Sequence, residues 1–257
     1  MKKQTILLIL LFFMGKNIFA QKEEIAVITF KGKITFERKL NTHKQMDEMM
    51  KSRGGNNAMA DNFKKNIPKY KTDIFEMMFT QNESLYKPAK DGIMESKMMF
   101  GNIPAEKNIV YNNYKIDSTT IQKSVFEKNY LIHDSLKKFD WKITEDFRRI
   151  AGFNCRRAET IIMDSIYVIA FYTDAILAEG GPEGFNGLPG MILGIVMPRL
   201  NVTYFATKID NYLANENDIV APTKGDKRNY KQLDKELNES LKQWGEYIQK
   251  IMWFVNV

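Results

Sequence analysis

The feature that most limits how this chain can fold is a rhythm. From residue 73 onward, short apolar or alternating segments recur about every ten to fifteen residues: "DIFEMMFT", "SLYKPA", "GIMESKMMFG", "NIVYNNY", "SVFEKNYLI", "FDWKIT", "GFNCRRAET", "SIYVIAFYT", "GMILGIVM" and "NVTYFATKI". Turn-rich pieces separate most of them, and no helical run lies between consecutive members. Parallel neighbours would need such crossovers, so the pattern predicts antiparallel pairing. The expected fold class is mainly β (α+β), a curved antiparallel sheet or open half-barrel with a C-terminal amphipathic covering helix.

Particular stretches refine this. In "EEIAVITFKGKITFERKL", Ile34, Phe36 and Leu40 fall on one face and Thr35, Glu37 and Lys39 on the other, the mark of a half-buried strand. Gly32 within it predicts a bulge or bend. Residues 41–68 turn polar with scattered Met, and read as a helical or mobile excursion between strands. Both alternate sets of "SIYVIAFYT" are apolar, which predicts a central strand covered on each side. Near the C-terminus Tyr230, Leu233, Leu237, Leu241, Trp244, Tyr247, Ile248 and Ile251 step by three or four. That is an amphipathic helix, with Thr223 and Asp226 as N-terminal caps and Gly225 as the turn into it. Gly245 inside it predicts a close packing contact or fraying.

The N-terminus carries an address. Lys2 and Lys3 precede the apolar stretch Ile6 to Met14, and a short tract ends in "NIFAQ", the layout of a secretory signal peptide cleaved after Ala20. The expected domains are a signal peptide over residues 1–20 and a single β-rich domain over 21–257. The apolar stretch is too short for a membrane span, and no later segment supplies one. An exported chain is expected in the periplasm, at the outer-membrane surface or in the medium. Without Lys2, Lys3 and Lys16 the 38 basic residues become 35 against 31 acidic, so the net charge falls from +7 to +4. A modest excess without a basic stripe argues against nucleic acid as a partner. Cys155 is the chain's one cysteine, so no internal disulfide can form, and stability has to come from an apolar core. With 44% hydrophobic residues the chain can build one.

Candidates for chemistry are sparse. "HDS" at 133–135 suggests a hydrolytic triad, but sequence neighbours do not make one, and G-x-S-x-G is absent. Two distant histidines and one cysteine make a poor zinc set. Met46, Met49 and Met50, with Met59 nearby, have the helical spacing that could bring soft sulfur ligands together on Cu(I), and the competing reading is core packing. Cys155, beside Arg156 and Arg157, is either an activated thiol or a buried inert one, and burial is the commoner state. No cofactor is expected.

The run "GGPEGFNGLPGMILGI" at residues 180–195 holds six of the fifteen glycines and two of the seven prolines. Its backbone needs positive φ at several points, while Leu188 and the apolar run that follows tie it to the core. "GFNGLPGMIL" resembles the signature of the GLPGLI family, exported proteins typical of Bacteroidetes. The likeness extends to Trp141 with Thr144, to Ile150, Gly152, Cys155 and Ala158, to Tyr172 and Thr173, and to Gly181 and Pro182. Met191 and Phe171 depart from the pattern but keep apolar side chains. The resemblance implies no established reaction, and an association with outer-membrane TonB-dependent receptors. Together these readings predict a non-enzymatic envelope protein holding an apolar ligand or a partner near a signature loop of Gly187, Leu188, Pro189 and Gly190. A hydrolase is the first alternative and a Met-based copper-handling protein the second.

Overall fold

The computed structural model describes residues 30–52, 57–93, 105–210, 218–244 and 247–257. Its strands are β1 (Gly32–Asn41), β2 (Tyr70–Phe79), β3 (Glu83–Pro88), β4 (Ile109–Asn113), β5 (Ser118–Val125), β6 (Lys128–Ser135), β7 (Lys142–Ile150), β8 (Phe153–Ile162), β9 (Ile166–Thr173), β10 (Met191–Met197), β11 (Val202–Asp210) and β12 (Asp226–Arg228). Four helices accompany them among the described residues: α1 (Thr42–Ser52), α2 (Asn57–Lys64), α3 (Tyr230–Ser240) and α4 (Tyr247–Asn256). The strands form one sheet in the order β12-β6-β5-β4-β3-β2-β1-β11-β10-β9-β8-β7. Every pairing is antiparallel except that of the short β12 with β6. Because β12 and β7 are both edges, the sheet is open, as the strand rhythm predicts.

Alternation explains the core. On one face β1 presents Ile34 and Phe36 and β2 presents Phe75, Met77 and Phe79, all fully buried. Leu233 and Leu237 of α3, Leu241 just past its end, and Ile251, Met252 and Val255 of α4 join the same cluster, so the C-terminal helices cover this face. A second cluster gathers Leu40, Ala158, Ile166, Val168, Phe185, Leu188, Ile192 and Ile195. No helix among the described residues is long and apolar enough to cross a membrane.

Several local readings change. "SVFEKNYLI" is a hairpin rather than a strand: β5 ends at Val125, β6 begins at Lys128, and Phe126 sits between them exposed at φ 56°. An aromatic residue in a left-handed turn hid the reversal. "FDWKIT" enters β7 only at Lys142. β9 has neighbours on both sides, and its second face is covered only in part: Tyr167 is exposed there while Phe171 packs against the first cluster. Gly32 opens the described β1, and the register irregularity falls between Thr35 and Phe36, where β11 carries an extra residue at Thr207. The C-terminal helix is two helices. The cap of α3 is Asn229, whose side chain accepts from the Gln232 amide while the Gln232 side chain accepts from the Asn229 amide. Asp226, expected as a cap, pairs with Tyr130 in β12. The signal peptide, Gly245 and most of "GIMESKMMFG" lie outside the described residues.

Candidate functional site

Where β11, β1 and β2 run side by side, Tyr204, Arg38 and Asp73 stand opposite one another on the inner face. Arg38 is in phase with Ile34, Phe36 and Leu40, so the pleat carries a charge into the core. There its Nη2 donates to Asp73 Oδ2 at 2.7 Å, and its guanidinium lies 4.7 Å from the Phe75 ring centroid. Phe75 in turn stacks on Tyr86 with centroids 4.8 Å apart. Two residues before Asp73, Lys71 points the same way, pairs with Glu106 and comes within 3.7 Å of Asp73 Oδ1. Glu106 and Asn108 belong to the turn that leads into β4, which puts both over this part of the sheet.

The glycine run supplies the remaining member. Its tight turn Pro182–Gly184 holds Glu183 at φ 55°, ψ 18°, a left-handed conformation that is costly for a residue with a Cβ. The turn is pinned on both sides. Ile192 donates to the Gly180 carbonyl at 2.8 Å, and Trp141 Nε1 donates to the Asn186 carbonyl at 2.8 Å. Held in this way, Glu183 projects inward and its Oε2 accepts from Asn108 Nδ2 at 2.8 Å. Among the described residues three buried polar atoms have no hydrogen-bond partner: Glu183 Oε1, Asn108 Oδ1 and the Tyr86 hydroxyl. Such atoms are uncommon in folded proteins and concentrate where a ligand or a reaction needs them.

Five of these groups line a cleft. Arg38, Glu106, Asn108, Glu183 and Tyr204 form its polar part, and Leu40, Met197, Leu200, Val202, Phe254 and Val257 its apolar walls. The cavity measures about 20 Å³, room for one or two waters or for the edge of a larger molecule. Burial drives the phenols of Tyr204 and Tyr86 above their usual range, reinforced in both by Glu183, so each keeps its proton and can donate. Burial alone would lower the Arg38 guanidinium, but Tyr204, Asp73 and Glu183 outweigh it and raise it. For Lys71 burial wins over Asp73 and the ammonium is lowered. Asp73 and Glu106 are each tied to a cation, whereas Glu183 is held by neutral groups, the Asn108 amide and the Tyr204 phenol. No cluster of three or more His, Cys, Asp or Glu suited to a metal occurs among the described residues. The cleft therefore offers neutral donors, one guanidinium, and two unpartnered acceptors beside an apolar wall.

α4 closes that wall with Phe254. Its C-terminal carbonyls are held from the sheet side: Lys123 donates to Val255 O, and Lys137 to Asn256 O and, at 3.2 Å, to Val257 O. Burial pushes the Lys123 ammonium down to about 8 and that of Lys137 to about 7.

The residues singled out from sequence fall elsewhere. Gly187 and Pro189 are exposed, while Leu188 is buried in the second core and Gly190 against β9. A Cβ on Gly190, at φ 136°, would sit 2.2 Å from the Thr173 carbonyl. The four residues form a corner beside the cleft and do not line it. His133 is exposed with Nδ1 3.1 Å from Thr120 Oγ1, and Asp134 accepts from the backbone of Tyr230 instead, so "HDS" makes no triad. Met46, Met49 and Met50 are buried with Ala60 in a small cluster of α1 and α2. Cys155 is fully buried, and burial pushes its thiol up to about 12. The cleft residues Arg38, Glu106, Asn108, Glu183 and Tyr204, and Lys71 and Asp73 that pair with them, were not anticipated. One signal was available, a charged Arg38 on the apolar face of an otherwise regular strand.

The sequence profile of the family described as "N-glycanase peptide, N-terminal domain" matches residues 71–236. Among solved structures, PNGF-II in one crystal form aligns with TM-score 0.51 at 14% identity, over 80% of this chain and 32% of that protein. A second crystal form gives TM-score 0.51 at 15% identity, over 82% and 34%. The chain thus spans about a third of the length of the solved proteins it matches, and the likeness at this identity is one of fold. No curated protein matches.

These matches overturn the resemblance to GLPGLI proteins, and with it the expectation of a non-enzymatic envelope scaffold. The reason is physical. "GLPG" encodes a backbone corner, a left-handed glycine packed on a neighbouring carbonyl, and that local geometry serves any sheet that needs it. The TonB-dependent receptor association came with the resemblance, and no other feature of the chain argues for it.

Proposed function

Because this chain belongs to the family of N-glycanase N-terminal domains, we propose that it serves the hydrolysis of N-linked glycans, with the Arg38–Glu183 cleft as the place where substrate is engaged. One observation carries the reading: the family match over residues 71–236 contains Glu106, Asn108, Glu183 and Tyr204, four of the five polar residues that line the cleft, Arg38 being the fifth. In the reaction, water adds to the side-chain amide of a glycosylated asparagine, the carbon–nitrogen bond breaks, and an aspartate and a glycosylamine result. Such a step needs donors to polarise the carbonyl and a group to accept a proton. Arg38 and the protonated Tyr204 are donors of that kind, and Glu183 is the cleft carboxylate with no cation tied to it. Export through the N-terminal signal would bring the chain to extracellular glycoproteins.

The test is incubation of the purified chain with a peptide carrying one N-linked oligosaccharide, followed by mass spectrometry. Release of the oligosaccharide with conversion of asparagine to aspartate supports the proposal. An intact glycopeptide after prolonged incubation at equimolar protein overturns it.

A further inference from the structure

The unpartnered atoms in the cleft are not of mixed character. Glu183 Oε1 and Asn108 Oδ1 are both acceptors, both are buried, and the side chains that carry them are joined by the 2.8 Å bond from Asn108 Nδ2 to Glu183 Oε2. That bond fixes the two groups relative to each other, and each side chain, both lining the cleft, carries one further oxygen without a partner among the described residues. Leaving both without donors has a cost in any folded protein, and a bound molecule presenting two neighbouring donors removes it.

Charge narrows the class of molecule. Arg38 lines the same cleft and Lys123 and Lys137 lie beyond it, so a cation would meet repulsion, while an anion would meet Glu183 and Glu106. A neutral group with two adjacent hydroxyls fits both constraints. The same cleft is also lined by Met197, Leu200 and Phe254, apolar side chains that suit the C–H face of a pyranose. The cavity, at about 20 Å³, takes the hydroxyl-bearing edge of such a ring and leaves the body of the sugar at the mouth.

We infer that Glu183 and Asn108 form a reader for an adjacent pair of sugar hydroxyls, each accepting one hydrogen bond, and so choose which edge of a glycan enters the cleft. The inference rests on the proposed glycan-directed function and adds the chemical feature recognised. The strained placement of Glu183 then has a purpose, since the glycine run delivers one rigid carboxylate to meet the Asn108 amide.

Ligand-observed NMR and calorimetry with the full chain test it, using N,N′-diacetylchitobiose and methyl mannoside as probes, each beside analogues lacking one ring hydroxyl. At least one parent sugar binds, and removal of one hydroxyl of the recognised pair weakens binding by about tenfold or more. The variant Glu183→Gln loses binding to a similar degree. Asn108 Nδ2 keeps the amide oxygen of the new side chain, which turns an NH2 donor toward the ligand where an acceptor is required. Circular dichroism establishes that the variant is folded, and the deoxy analogues test wild-type protein whatever the variant does. Binding that is indifferent to every single deoxygenation overturns the inference, as does absence of sugar binding or full binding by a folded Glu183→Gln protein. Hydrolysis without this binding pattern would refute the reader alone. The binding pattern without hydrolysis would refute the hydrolytic function alone.

Discussion

At the scale of single residues, the unusual economy of this chain is a buried charged cluster in a protein whose stability comes from an apolar core. Arg38 and Asp73 have almost no contact with solvent, and removing Arg38 takes from the buried carboxylate the cation closest to it. The predicted outcome for Arg38→Met is a loss of about 3 kcal/mol. This is the low end for a broken buried pair, because Lys71 Nζ, 3.7 Å from the same carboxylate, takes over part of the pairing. Denaturant melts measure it, and the double variant Arg38→Met/Asp73→Leu should recover most of the loss. Recovery would mean that the pair is kept for what it does in the cleft and not for the stability it adds. The cluster was hard to read from sequence for a plain reason. Arg38, Asp73 and Tyr204 are far apart in sequence and meet through strand register, so no local spacing announces them. Glu183 was hidden differently, as one polar letter in a glycine run whose glycines drew the reading toward backbone shape.

At the scale of elements, period-two alternation exposed most strands because each has one buried face, and β1 and β2 show it almost residue by residue. Reading failed where a turn carried an apolar residue, as at Phe126, and where a long helical pattern concealed a break between α3 and α4. α4 also has a titratable attachment. Lys123 and Lys137 bind its terminal carbonyls with folded values near 8 and 7, well below the value of about 10.4 for an unfolded lysine. Between about pH 7 and 9 the unfolded chain therefore holds more protons on these groups than the folded chain, and stability rises with pH. Above about pH 9 the buried Cys155 thiol acts in the opposite sense, because the unfolded thiol ionises first. Denaturant midpoints taken from pH 7 to 9 should climb, and Lys123→Met should flatten the rise. A midpoint that falls across this window would show that the lysines are not buried as described.

At the scale of the whole molecule, an open twelve-stranded sheet has two edges to protect. One is the three-residue β12, too short to template another chain. The other, β7, is long and exposes Ile143 and Phe147, but its charges blunt it: Glu145 pairs with Arg156 at 2.6 Å and Asp146 with Arg157 at 2.9 Å. Replacing Glu145 and Asp146 with valine should produce concentration-dependent association by sedimentation while the spectrum stays that of a folded β protein. A strictly monomeric variant would show that the edge is guarded by other means.

The sheet and its covering helices were legible as an architecture, whereas the family was not, because a corner motif shared by form was read as one shared by descent. What the architecture accomplishes is to bring a strained loop and three adjacent strands to a single polar cleft. The most direct measurement is the rate of oligosaccharide release from an N-glycosylated peptide by wild-type protein and by folded Glu183→Gln protein under identical conditions. The account predicts release by the wild type and loss of at least about tenfold in the variant, the range for a buried charged partner removed. Equal rates, or no release by either protein, would contradict it.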